Sequence, residues 1–167
     1  MSDPAMSDPD PEGAAPRVRA AIALGSNLQD PEAQVRRAFD EIAALPETDL
    51  LACSSLYRTE PVGYADQSTF VNACALVETS LAPRALLDRL LEIEQRHGRV
   101  REIRNGPRTL DLDIIVFGER TVEEPELTIP HPRAHERAFV LQPLVEVWAD
   151  AVIAGQGKAR DLLERVK

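Results

Sequence analysis

Lysine is almost missing from this chain: of its 19 basic residues only Lys158 and Lys167 are lysine, and both stand at the C-terminal end. A phosphate loop of the GxxxxGK[ST] type therefore cannot be written anywhere, and no GxGxxG follows a strand-like run, so any nucleotide site must be built another way. Aromatics are scarce as well, seven in 167 residues, and the net charge is −9. That combination excludes an RNA-recognition sheet, which needs exposed aromatics on a basic face. The two cysteines, Cys53 and Cys74, lie apart on apolar strands without metal-ligand spacing and read as reduced core thiols. No stretch approaches the roughly 20 apolar residues of a membrane span, and the N-terminus has neither the basic start nor the apolar run of a signal peptide. A soluble cytoplasmic protein is the expectation.

What is present suffices for one well-buried core: 167 residues, 44% of them hydrophobic. Residues 1–16 stand apart. Asp3, Asp8, Asp10 and Glu12 are uncompensated there, Pro4, Pro9, Pro11 and Pro16 interrupt them, and Met-Ser-Asp-Pro occurs in near-duplicate. Such a segment buries too little apolar surface to offset its ordering entropy, so residues 1–16 are expected to be a disordered acidic tail and 17–167 a single domain.

From Arg17 to Leu24 apolar residues alternate in the manner of a strand. Gly25, Ser26 and Asn27 then turn the chain. Asp30 and Pro31 supply an N-cap and a first-turn proline, and Val35, Ala38, Phe39, Ile42 and Leu45 mark one face of a helix. Further strands are predicted at Leu50–Arg58 and Phe70–Thr79, joined by a long loop holding Pro61, Gly63, Asp66 and Ser68. A second helix starts near Pro83, turns Leu86, Leu87, Leu90 and Ile93 inward, and stops at Gly98. An arginine-rich loop leads to a strand at Thr109–Phe117. This order predicts an α+β, ferredoxin-like βαββαβ core, an antiparallel sheet with helices on one face. A strand at Leu127–Ile129 and a helix including Phe139, Val140, Leu141 and Leu144 begin a C-terminal extension, which is unreadable beyond Asp150.

The most informative stretch is Arg104-Asn105-Gly106-Pro107-Arg108-Thr109-Leu110-Asp111-Leu112-Asp113-Ile114-Ile115. Side chains of a strand repeat every second residue, so Asp111 and Asp113 share one face, with Leu112 and Ile114 on the other. Two adjacent carboxylates in an apolar strand repel unless something positive lies between them, and a hard divalent cation with oxygen ligands fits. The pattern alone is equally compatible with a solvated strand end paired to Arg101 or Arg108. Arg96, Arg99, Arg101, Arg104 and Arg108 upstream shift the balance towards metal-bound polyphosphate, carboxylates on magnesium and arginines on phosphate.

Elsewhere the residues say less. His131, in Pro130-His131-Pro132, is by default a turn residue, yet Arg133 and Arg137 nearby open a phosphate contact. For His97, at a helix C-terminus, interaction with the helix dipole is explanation enough. Phe70 shares a strand face with Asn72, which suits stacking and hydrogen bonding of a planar heterocycle. By pattern alone, however, Phe70 and Phe139 are ordinary core residues.

The stretch from Arg104 to Ile115 resembles, position by position, the signature of the hydroxymethyldihydropterin pyrophosphokinases. The likeness extends to Ala23-Leu24-Gly25-Ser26-Asn27-Leu28, Ser55-Leu56-Tyr57-Arg58-Thr59, Phe70-Val71-Asn72-Ala73, Glu78-Thr79-Ser80-Leu81, Gly98-Arg99-Val100-Arg101 and Thr128-Ile129-Pro130-His131-Pro132-Arg133. It covers about Val18 to Val147. It implies transfer of pyrophosphate from ATP to 6-hydroxymethyl-7,8-dihydropterin in folate synthesis, with Asp111 and Asp113 holding two magnesium ions. It further implies that Arg99, Arg101, Arg108, His131 and Arg137 contact the phosphates, with Arg99, Arg108, Asp111 and Asp113 catalytic. Glu94, Ile114 and Thr128 would serve the adenosine. The pterin would lie between Phe70 and Phe139, read by Asn72 and the backbone of Thr59 and Val62. The loops at Pro61–Ser68 and Arg99–Pro107 would close over the substrates, so mobility before binding is expected.

Departures from the family pattern are Asn105 in place of a tryptophan, Phe70 in place of a tyrosine, and Glu126 and Pro132 in place of arginine and tyrosine. None touches the acid pair. The rival reading is a non-catalytic ferredoxin-like module that senses a small ligand; the acid pair with five arginines is more phosphate machinery than a sensor needs. A monomer is expected, with no nucleic-acid or membrane partner.

Overall fold

The computed structural model describes residues 16–27, 30–59, 70–97 and 110–166. The expected tail at 1–16 therefore lies outside the described residues except for Pro16, as do the two loops expected to close over the substrates and the predicted helix stop at Gly98.

Strand β1, Val18–Ser26, forms where alternation was predicted and runs on through the first turn residues. Helix α1, Pro31–Ala43, follows, with Val35, Ala38, Phe39 and Ile42 buried. Asp30 stands at its N-cap but adopts a left-handed conformation (φ 56°) and makes no side-chain cap bond; its carbonyl accepts Gln34 N instead. The predicted strand Leu50–Arg58 is two strands, β2 at Thr48–Cys53 and β3 at Tyr57–Thr59. Between them Ser54 leaves the ladder while staying tied to it. Its N donates to Cys74 O at 2.9 Å and its Oγ accepts from Cys74 N at 2.8 Å. Strand β4, Phe70–Thr79, and helix α2, Pro83–Arg96, lie where the apolar pattern puts them. Strand β5 spans Leu110–Phe117.

All pairings are antiparallel, in the order β2-β4-β1-β5, with β3 also on β4. This is the expected ferredoxin-like arrangement. Ala20, Ile22 and Leu24 of β1 point into one core with Val35, Ile42, Leu86, Leu90 and Ile93 of α1 and α2. Burying each such aliphatic side chain contributes about 1.5–3 kcal/mol relative to exposure.

The helices of the ferredoxin-like core, α1 and α2, share one face as expected. On the other face Ala21, Cys74, Ile115 and Val116 pack against a second helical layer, a placement not predicted from the sequence. That layer comes from the C-terminal extension. Hairpin β6, Val122–Glu124, and β7, Leu127–Ile129, is followed by α3, Ala138–Val147, then β8, Val152–Ile153, β9, Gly157–Lys158, and α4, Ala159–Val166. Cys74 is buried in this layer as expected, whereas Cys53 is exposed on the edge strand β2, contrary to its reading as a core thiol. The helical layer covers only part of the face. Where it stops, the sheet is floored by residues with little or no side chain, and the site lies there.

Candidate active site

The site grows from the register of β5 on β1. Asp111 stands opposite Gly25 and Asp113 opposite Ala23, while Leu110, Leu112 and Ile114 point into the core on the other face. Nothing larger than a methyl group therefore grows from the residues facing the two carboxylates. One step further across the sheet, Gly25 and Ala23 pair with Asn72 and Cys74 of β4, and Asn72 pairs with Tyr57 of β3.

Above this floor is a cavity of about 390 Å³. Thr59, Phe70 and Asn72 form one wall, His131, Arg137, Phe139 and Val140 the other, and Asp111 and Asp113 lie at its base. Asn72 Nδ2 donates to Thr59 Oγ1 at 2.7 Å, which fixes the amide in the wall. Phe139 is 41% exposed, unusual for so large an apolar ring, and it faces the cavity rather than solvent at large. The Arg137 guanidinium lies 5.6 Å from the centre of that ring, a cation–π distance. The cavity thus has an acidic base, an aromatic rim and a cationic corner.

His131 hangs from the turn after β7. Burial holds its imidazole below the ordinary value of 6.5; the charge on Asp113 pulls it back up, and Arg137 and Arg133 push it down. The net effect favours the neutral ring at pH 7. Its Nδ1 accepts from Arg133 N at 3.2 Å, so the ring proton of that neutral form sits on Nε2, as a donor.

Asp111, Asp113, His131, Arg137, Thr59, Phe70, Asn72 and Phe139 are thus brought together as expected. Others are placed elsewhere. The Ile114 side chain is buried in the core on the face away from the acids and does not line this cavity; its backbone lies at the sheet edge. Glu94 is buried too, and its Oε2 accepts Leu112 N at 2.8 Å, on the strand that carries the acid pair. Thr128 is exposed on the β6–β7 hairpin and outside the cavity. Arg96 lies 3.6 Å from Glu41 on α1 and is not part of an arginine cluster at the acids. Arg99, Arg101, Arg108 and Val62 lie outside the described residues. Ala23, Gly25, Asn27, Ile115 and Val140 line the cavity without having been singled out as site residues; the sheet register places Ala23, Gly25 and Ile115, and the packing of α3 on the sheet places Val140.

The donor set suits a hard cation. Asp111 and Asp113 supply two carboxylates on one face, and among the described residues no cluster of three or more His, Cys, Asp or Glu side chains arranged for a metal is present. Magnesium uses few protein carboxylates and completes its shell with water and phosphate oxygens, so a two-carboxylate site beside open space fits it.

The comparison with known proteins agrees with this geometry. The family model for 7,8-dihydro-6-hydroxymethylpterin-pyrophosphokinase matches residues 21–149. The chain belongs to this family. It is 52% identical over 132 residues to the 2-amino-4-hydroxy-6-hydroxymethyldihydropteridine pyrophosphokinase of Pseudomonas aeruginosa, covering 79% of this chain and 82% of that protein. It is 44% identical over 148 residues to the Haemophilus influenzae protein of the same name, covering 89% and 92%. Crystal structures of wild-type Plasmodium falciparum HPPK-DHPS, with pteroate or with STZ-DHP, superimpose with TM-scores of 0.69 and 0.71 at 14% and 13% identity. They cover 90% and 92% of this chain but only 42% and 44% of those longer chains, and at such identity they support the pyrophosphokinase fold alone.

Proposed function

We propose that the chain transfers the terminal pyrophosphate of ATP to 6-hydroxymethyl-7,8-dihydropterin, releasing AMP, in tetrahydrofolate biosynthesis. The observation that carries the reading is the shared cavity. Two carboxylates suited to a metal-bound polyphosphate open onto the same space as two aromatic rings and an amide suited to a flat heterocycle.

In this reading the pterin stacks between Phe70 and Phe139, while Asn72 and the backbone of Thr59 and Val62 read its hydrogen-bonding edge. The adenosine lies beyond Asp113 along the outer edge of β5, near the Ile114 backbone and Thr128. Glu94 takes a different part from the direct contact first expected: by accepting Leu112 N it holds that edge in place. Asp111 and Asp113 hold magnesium, two ions in the full form of the proposal, which when bound neutralises phosphate charge and aligns the transferred group. His131, through Nε2–H, and Arg137 hold phosphate oxygens, together with Arg99, Arg101 and Arg108. The hydroxymethyl oxygen attacks the β-phosphorus and gives up its proton, through Asp111 or Asp113, to solvent; the bond from that phosphorus to the α–β bridging oxygen breaks, and AMP leaves with that oxygen. The chain's contribution is orientation and charge, without a covalent intermediate.

One chain supplies both walls and both carboxylates, in keeping with a monomer, and ATP is a cytoplasmic co-substrate. Among the described residues no helix is long and apolar enough to cross a membrane. The test is product identity: with magnesium, ATP and the hydroxymethyl dihydropterin, phosphorus NMR should show AMP and a pterin diphosphate in equal amounts. ADP, or no turnover, contradicts the proposal.

A further inference from the structure

Outside the cavity, one polar cluster has no part in the chemistry above. Glu146, on the last turn of α3, gathers three donors from the β2–β3 link and the start of β3. Ser55 N lies 3.0 Å from both carboxylate oxygens, Ser55 Oγ 2.8 Å from Oε2, and Tyr57 OH 2.6 Å from Oε1. The donors come from 91 and 89 residues away in the chain, so the cluster adds a polar tie between two parts of the fold that are distant in sequence.

Those two parts are the walls of the cavity. Helix α3 starts with Ala138 and carries Phe139 and Val140 in its first turn; Glu146 follows Phe139 by seven residues, about 10 Å along the axis at about 1.5 Å per residue. On the other side Tyr57 pairs with Asn72, and Thr59, two residues on, accepts the Asn72 amide. Elsewhere α3 is held by Val140, Leu141 and Leu144 in one apolar cluster with Ala21, Cys74, Ile115 and Val116 of the sheet and Ala159, Leu162 and Leu163 of α4, which is contact without direction. Such packing holds the helix on the sheet but leaves its roll and slide softly determined. Charge-assisted hydrogen bonds to both oxygens of one carboxylate fix them.

We propose that Glu146 is a positioning residue for the pterin: by clamping α3 to Ser55 and Tyr57 it sets the spacing between Phe139 and the wall of Phe70, Asn72 and Thr59. The inference rests on the function proposed above. The carboxylates for the metal-bound nucleotide stand on β5, which Glu146, Ser55 and Tyr57 do not touch; Arg137, at the N-cap of α3, is the one phosphate contact that shares the helix, so the larger effect falls on the pterin wall.

The test compares wild type, Glu146→Ala, Glu146→Gln, Tyr57→Phe and the Glu146→Ala/Tyr57→Phe double variant. The readouts are pterin Kd from titration with magnesium and a non-hydrolysable ATP analogue present, KM for each substrate, and Tm. Glu146→Ala should weaken pterin binding about tenfold, with KM for ATP within about twofold. Glu146→Gln keeps one acceptor oxygen and should recover part of the loss. Tyr57→Phe, the milder change, should weaken pterin binding by itself yet add little in the Glu146→Ala background, since both act through one contact. Unchanged pterin affinity, equal rises in both KM values, or additive losses overturn the inference. Because binding is read without turnover, a wild type that binds the pterin but forms no AMP defeats the function and leaves the clamp judged on Kd; a wild type that binds no pterin defeats both.

Discussion

Asn72 stands directly across from Gly25 in the β1–β4 ladder, and its Oδ1 lies 3.1 Å from where a Cβ on residue 25 would be. That separation is tighter than ordinary van der Waals contact, and the amide has little room to retreat because its Nδ2 is bonded to Thr59 Oγ1. A glycine at 25 is thus what lets the amide lean over the cavity floor. Gly25→Ala should displace it by a few tenths of an ångström and weaken pterin binding about tenfold, with the Tm little changed. Calorimetric titration checks this, and an unaltered Kd would remove Asn72 from the pterin site.

Glu94 makes a different kind of contribution. Its buried carboxylate accepts Leu112 N, between the two aspartates of β5. Glu94→Ala leaves a buried donor without that acceptor and should destabilise the fold by about 1–3 kcal/mol. Glu94→Gln keeps an acceptor oxygen and should lose less. Urea unfolding measures both, and a Glu94→Ala midpoint equal to wild type would contradict the assignment.

Much of this was legible from residue order, and the reason is local. The alternation from Val18 gives β1, the apolar run bounded by polar loops gives Phe70–Thr79, and the two-residue period puts Asp111 and Asp113 on one face without reference to any other segment. What escaped depends on distant partners. Ser54 breaks the predicted Leu50–Arg58 strand because its hydroxyl finds Cys74 N across the sheet. His97 reads as a helix C-terminus explained by the dipole, yet its ring is buried, with Nδ1 2.7 Å from Gln34 Oε1 and Nε2 at Glu41 on α1. The contact of Glu94 with Leu112 N joins residues 18 apart and is visible only in the fold. Helix α3 was legible from Phe139, Val140, Leu141 and Leu144, but its place on the second face was not, and β8 and β9, two residues each, are too short to show a period.

The clamp at Glu146 predicts a pH dependence of stability. Burial works against its charge, but hydrogen bonds from Tyr57 and Ser55 outweigh this and hold the carboxyl below its ordinary 4.5. Burial, and then the bond to Glu146, pushes the Tyr57 hydroxyl up to about 12 from 10.0. A carboxyl lowered by folding stabilises above its unfolded value and loses that as pH falls through the folded one; a raised phenol stabilises below its unfolded value and loses that as pH rises to the folded one. The Tm advantage of wild type over Tyr57→Phe should therefore be flat from about pH 5 to 10, then shrink below about pH 4 and between about pH 10 and 12. Thermal melts across this range check it, and an advantage constant from pH 3 to pH 12 would contradict it.

The central claim, that Asp111 and Asp113 together clasp the cation carrying the nucleotide's phosphates, is tested most directly by titrating manganese as a magnesium substitute in the presence of a non-hydrolysable ATP analogue, with paramagnetic resonance reading the free ion. Wild type should bind two ions per chain, and Asp113→Ala should lose at least one of them while keeping its circular dichroism spectrum. A variant that binds manganese as wild type does would contradict the account.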